Sequence, residues 1–239
     1  VKPRHCHDWD VTPAEARAIQ ERLRQRVVLE DAFGKIQRAA GADVAFDALS
    51  RRAIAGVVLY EVLRRQDGPW GVGEFELREI ERVWATVPLR FPYVPGLLSF
   101  REAPALLAAM EKLHRTPDVI FCDAQGYAHP RRFGLACHLG VLLDCATVGC
   151  AKSRLLGRHA AVAARAGSWT PLLDGDEVIG AVVRTRTDVQ PIYVSSGHRV
   201  SLPTAIALTL AVCDGFRIPR PTRAADQFVR KLKSESPRT

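Results

Sequence analysis

The chain has 239 residues, 47% apolar and 25% charged, enough for one globular domain with a real core. No apolar run approaches the roughly 18–20 residues of a membrane span, and the opening VKPRHCHDWD is too polar for a secretory signal; membrane insertion is excluded and a cytoplasmic protein expected. The net charge is +8, supplied mainly by arginine, which suits a polyanionic partner such as nucleic acid.

In chain order, the first element is a helix in TPAEARAIQERLRQRVVLE, residues 12–30. Thr12 is a good N-cap, Pro13 fits the first helical position, and Glu15 completes a capping box. ADVAFD, 42–47, alternates and predicts a short strand carrying Asp43, and the apolar RAIAGVVLYEVL, 52–63, predicts a buried one. QDGPWGVGE, 66–74, is a turn cluster, and FELREIERVWATV, 75–87, alternates as a third strand, so the three form an antiparallel meander.

FPYVPGLLSFRE, 91–102, sets Tyr93 between Pro92 and Pro95, each of which stiffens its surroundings. It leads into a helix, REAPALLAAMEKLHRT, 101–116. PDVIFCDAQG is a strand ending at Asp123; RRFGLACHLGVLLD, 131–144, is a helix; CATVGCAK, 145–152, is a strand. EVIGAVVRTR, 177–186, and PIYVSSG, 191–197, are two further strands, and SLPTAIALTLAVCDG, 201–215, is a helix. From 216 to 239 runs a basic tail with seven basic and two acidic residues. The order predicts one α/β domain: a mixed sheet with an antiparallel first half and helices on both faces.

Cysteines stand at 6, 122, 137, 145, 150 and 213 with no C-x-x-C pair, so they read as small buried hydrophobes rather than a zinc site. The acidic residues are more informative. Asp43 lies among small and apolar residues, and Asp123 ends a strongly apolar strand; charged Asp is rarely buried without a partner or metal. Each alone would more often be a turn cap. Glu102, beside Arg101, is a third candidate, with a solvated first-turn helix Glu as its plainer reading. Converging carboxylates in a basic protein suggest Mg²⁺ held by oxygen ligands for phosphodiester hydrolysis. His129 in AHPRR is a candidate for phosphate orientation or proton transfer, Arg131 and Arg132 for contacts to the nucleic-acid backbone, and Lys152 for a phosphate-facing lysine. His198 reads as a loop ligand or a capping group, and His138 as a satisfied core histidine.

FPYVPGLLSFRE, the run from Asp123 through HPRR to Gly140, TVGCAKSRL, SSGHRVS and IPRPTRAAD together resemble the endonuclease V family, over about Thr12 to Asp226. The resemblance implies a ribonuclease-H-like fold, with the first three strands antiparallel and the later ones parallel. The implied domain is single over 1–239, its core at 12–226 and a basic tail at 227–239. The implied activity is Mg²⁺-dependent cleavage, with Mn²⁺ as a substitute, of strands containing inosine. The cut would fall at the second phosphodiester 3′ to the lesion, leaving 3′-hydroxyl and 5′-phosphate ends. DNA is the first expectation for the substrate and RNA the alternative, acted on by a monomer. By the same resemblance Asp43, Asp123 and Glu102 are metal ligands, Asp226 the fourth acidic position, and His129 and Lys152 the active-site histidine and lysine. Tyr93, held by Pro92 and Pro95, is the wedge that replaces a displaced base. Gly96, Leu98, Gly126 and Leu135 line the base pocket, and Arg101 and Arg131 contact substrate.

The chain departs from the family at Ala124 and Gln125, where Gly and His are usual, and at Cys137, where Ser is usual. Two rivals remain. A non-catalytic binding module conflicts with acids inside a phosphate-binding cleft, which repel substrate unless a cation is bound. Cys137–His138 nucleophilic catalysis conflicts with helix geometry, because neighbours in sequence point apart.

Overall fold

The computed structural model describes residues 1–64 and 72–235. The turn cluster expected at 66–74 falls outside this range through residue 71, as does the end of the tail from 236.

Helix α1, Pro13–Arg24, starts on the capping box read from the sequence: Thr12 accepts from the Glu15 amide, and Glu15 accepts from Thr12. It stops well short of residue 30. The Val28 amide leaves helical bonding to donate to His198 Nδ1 at 3.2 Å. Strands β1 (Arg38–Asp47), β2 (Arg52–Arg64) and β3 (Phe75–Pro88) form the expected meander. Next come α2 (Ser99–Met110), β4 (Val119–Cys122), α3 (Leu135–Leu143) and β5 (Ala146–Ala151). The chain closes with β6 (Trp169–Asp174), β7 (Glu177–Val183), β8 (Ile192–His198), α4 (Leu202–Ala211) and α5 (Arg220–Glu235).

The described strands form one sheet of eight, ordered β3-β2-β1-β4-β5-β8-β7-β6. Pairing is parallel at β1–β4 and β4–β5, then antiparallel again through β8, β7 and β6. Helix α3 begins at Leu135 rather than 131, because Arg132 takes a left-handed φ of 53° and Gly134 is the extended N-cap. Strand β6 was not foreseen, and the expected tail is helical through residue 235.

Each strand's period of two sorts its residues between two cores. Ala40, Ala42, Ile120 and Cys122 pack toward α1, α2 and α3. Ala39, Val119 and Phe121 pack toward α4 and α5. Asp43 and Asp123 share the parity of the second set, so the sequence aims both carboxylates at the α5 face.

Helix α5 lies close on β1 and β2 because glycine makes room. A Cβ on Gly41 would sit 1.9 Å from the Pro221 carbonyl oxygen, and one on Gly56 would sit 2.6 Å from a Val229 methyl. No described helix is long and apolar enough to cross a membrane.

Candidate active site

Asp43 pairs with Gly56 near the end of β1, and Asp123 follows β4 directly, its amide donating to Ala42 O at 3.3 Å. Asp226 comes from the second turn of α5. One carboxylate oxygen from each lies within 4.8 Å of the other two. Among the described residues this is the one His, Cys, Asp and Glu group able to share an ion. An all-oxygen donor set suits a hard divalent cation, and a small closure brings these atoms to its coordination distances.

Glu102 was grouped with Asp43 and Asp123 as a ligand from sequence, but the trio takes Asp226 instead. The reason is the face: α2 packs on the opposite side of the sheet from α5. Glu102 is buried next to the trio, and its pKa is raised well above the usual carboxylate range by burial and then by the Asp43 and Asp123 charges.

Burial and the neighbouring Asp123 also push the Asp43 carboxyl up to about 7, against the Val44 amide, which donates to Asp43 at 2.8 Å. Asp123 is raised by burial, with Lys152 opposing. The Lys152 ammonium pairs with Asp123 and lies 3.4 Å from Asp226. Burial works to lower its pKa, but the Asp123 hydrogen bond and charge prevail and raise it, so Lys152 stays cationic. Carboxylates this crowded need positive charge.

Beside the trio opens a cavity of about 400 Å³, lined by residues that include Tyr93, Pro95, Gly96, Leu98, Asp123, Ala124, Gln125, His129, Leu135 and Lys152. Tyr93 is 71% exposed at its rim. Arg101 stacks between rings: its guanidinium carbon lies 4.9 Å from the Phe46 centroid and 5.8 Å from that of Tyr93, while Nη1 donates to Phe91 O at 3.1 Å. Arg101 therefore holds the rim. Pro92 is exposed next to Tyr93.

The pocket wall hangs on one carbonyl. Gly96 has φ +77°, a conformation glycine adopts freely. Its oxygen accepts from Arg131 Nη2 at 2.6 Å, His129 Nε2 at 3.0 Å and Gln20 Nε2 at 3.2 Å. His129 Nδ1 in turn accepts from the Arg131 amide at 3.2 Å. Both ring nitrogens are occupied by backbone, and burial with Arg131 nearby lowers the ring to about 4. In this arrangement His129 is neutral and holds the Gly96 carbonyl.

Arg131 is likewise committed, its Nε donating to Gln20 Oε1 at 2.6 Å. Arg132 donates to Asp174 and Glu177. Each is thus anchored to the protein through part of its guanidinium. Gln20, fully buried, was missed; an amide on a basic amphipathic helix gives no sequence signal for this role.

Gly126 does not line the cavity but supports it from behind. Its amide donates to Ser195 Oγ at 2.9 Å, and a Cβ there would lie 2.2 Å from Ser196 O. Ala124 fits the pocket lining, and Gln125 donates from Nε2 to Ser153 O at 3.0 Å while its Oε1 is buried without a partner.

His138 is a satisfied core histidine, as read: Ser99 Oγ donates to Nδ1, and Nε2 pairs with His7 Nε2 at 2.7 Å. His198 accepts the Val28 amide and faces Asp144. Cys137 is wholly buried, and burial pushes its thiol pKa well up, so it has no nucleophilic role.

A family model described as Endonuclease V matches residues 21–227. A curated relative called Endonuclease V from Trichormus variabilis is 49% identical over 93% of this chain and 96% of its own length. The crystal structure of an Endonuclease V from Streptomyces avermitilis superposes with a TM-score of 0.87 at 40% identity, covering 99% of both chains. An Endonuclease V from Ciona intestinalis, solved with a 23mer DNA containing an inosine followed by a ribo-adenosine, superposes with a TM-score of 0.76 at 25% identity, covering 94% of this chain and 99% of that one.

Proposed function

The chain belongs to the endonuclease V family, and from that premise we propose that it is a Mg²⁺-dependent nuclease that recognises inosine and hydrolyses the second phosphodiester on its 3′ side, leaving 3′-hydroxyl and 5′-phosphate ends. The observation that carries this reading is the Asp43–Asp123–Asp226 trio beside a base-sized cavity, which Asp123 also lines, with an exposed Tyr93 at its rim. Asp43, Asp123 and Asp226 would hold the ion, with Mn²⁺ able to replace it. Bound there, Mg²⁺ would polarise the phosphoryl oxygen and activate water.

The chain's own groups do the rest. Tyr93, stiffened by Pro92 and Pro95 and backed by Arg101, takes the place of a base displaced from its stack. Gly96, Leu98, Ala124 and Leu135 enclose that base, and the fixed backbone beyond Gly96 supplies groups to read its edge. Lys152 stands where it can follow a phosphate, and Glu102 adds a buried carboxyl behind Asp43. The inosine-containing ligand of the Ciona neighbour supports this choice of substrate.

The test is nicking of matched strands with and without one inosine, in Mg²⁺ and in EDTA, with product ends sized. Cutting confined to inosine strands in Mg²⁺, one bond beyond the adjacent linkage, is expected. Equal cutting of plain strands would overturn the reading. Because a ribonucleotide follows the inosine in that neighbour's ligand, an RNA arm belongs in the same experiment.

A further inference from the structure

We propose that Arg230 is a substrate-positioning residue that grips the phosphate immediately 3′ to the scissile bond; this rests on the function proposed above. The cavity lies on the α2 and α3 face of the sheet, and α5 lies on the other. A strand whose base enters the cavity and whose backbone reaches the trio must cross the sheet's edge at the ends of β1 and β4. It then emerges against α5.

The basic group beside Asp226 there is Arg230, one turn beyond it and on the same side of the helix. Its Nη2 lies 3.1 Å from Asp226 Oδ1, and its side chain is 72% exposed against 20% for Asp226. The carboxylate thus aims the guanidinium while most of the donor fork faces solvent, an arrangement suited to two parallel bonds to a phosphate. Lys233 continues the line past the strand ends toward Asp47, whose acidity it strengthens through space. Lys152 serves the cavity side of the same carboxylate, so Asp226 stands between one cation per face.

A merely structural Arg230 would be an exposed helical ion pair of little energetic weight. The experiment separates the two. Binding of an inosine-containing duplex is measured in EDTA across a range of salt for wild type, Arg230→Ala and Arg230→Lys, with melting curves as the check on folding. The duplexes carry one uncharged methylphosphonate linkage, moved along the inosine strand.

Arg230→Ala is expected to bind about tenfold more weakly and to lower the log–log salt slope by about one, with melting unchanged. Arg230→Lys should recover the slope but only part of the affinity. The neutral linkage just 3′ of the scissile bond should weaken wild type about tenfold and leave the alanine variant unaffected. If the variant responds to every neutral linkage as wild type does, the assignment is overturned. Wild type that cuts inosine strands alongside that result leaves the proposed function standing; wild type that ignores inosine overturns both.

Discussion

Gly96 shows how a single backbone carbonyl can be the hinge pin of a binding site. Three side chains from separate parts of the chain converge on it. Gly96→Ala forces a side chain onto a φ of +77° and places a Cβ 2.8 Å from Arg131 Nη2. Backbone strain of this kind costs about 1–3 kcal/mol. The expected result is a KM for inosine strands raised several-fold more than kcat falls; an unchanged KM would contradict this role for the wall. The neutral His129 makes a companion prediction. Its Nε2–H holds Gly96 and does not titrate above about pH 5, so His129→Gln, which keeps a donor, should leave the shape of the pH–rate profile unaltered. Loss of one limb of that profile would restore the proton-transfer role. Sequence could name His129 and Arg131 but not their use, because the partner is a carbonyl that any residue carries.

At the scale of elements, α1 and the meander were legible because local signals carried them: the Thr12–Glu15 capping box and the alternation of β3. Helix α5 was not. Its charge, its Pro221 and the Pro219 just before it hid a helix inside a basic tail, although Pro221 sits near the start where proline is tolerated. Asp226 was therefore placed by family resemblance alone, and its share in the trio came from the packing. Strand β6 carries Pro171 and is the outermost of the eight strands, next to β7 at the sheet's edge, where proline is admitted. The glycines that seat α5 give a direct test. Gly41→Ala must push the Pro221 backbone away and lift Asp226 from Asp43. A loss of about 1–3 kcal/mol of stability is expected, with a several-fold weaker affinity for Mn²⁺. Undiminished Mn²⁺ binding would show that α5 docking does not set the trio.

For the whole molecule, the crowded carboxylates tie folding to pH and to the cation. Metal-free Asp43 keeps its proton up to about pH 7, whereas an unfolded Asp gives it up near pH 4. Between those values the folded state binds more protons, so stability falls as pH rises through that window. Asp123 and Glu102, also shifted upward, act with the same sign. In EDTA, the melting temperature of wild type should drop relative to Asp43→Asn on going from about pH 5 to about pH 8. Mg²⁺ should raise it, and more at the higher pH, because the ion competes with protons for the same oxygens. A pH-independent gap between the two proteins would refute the linkage. Asp43→Asn should also abolish Mg²⁺-dependent nicking while remaining folded.

The trio is assembled from β1, β4 and α5, the second, sixth and last elements of the described chain. On a ribosome, a chain made as far as α4 already has its sheet strands and two of the three carboxylates, yet cannot close the set. Closure of the carboxylate set is then timed to the docking of α5.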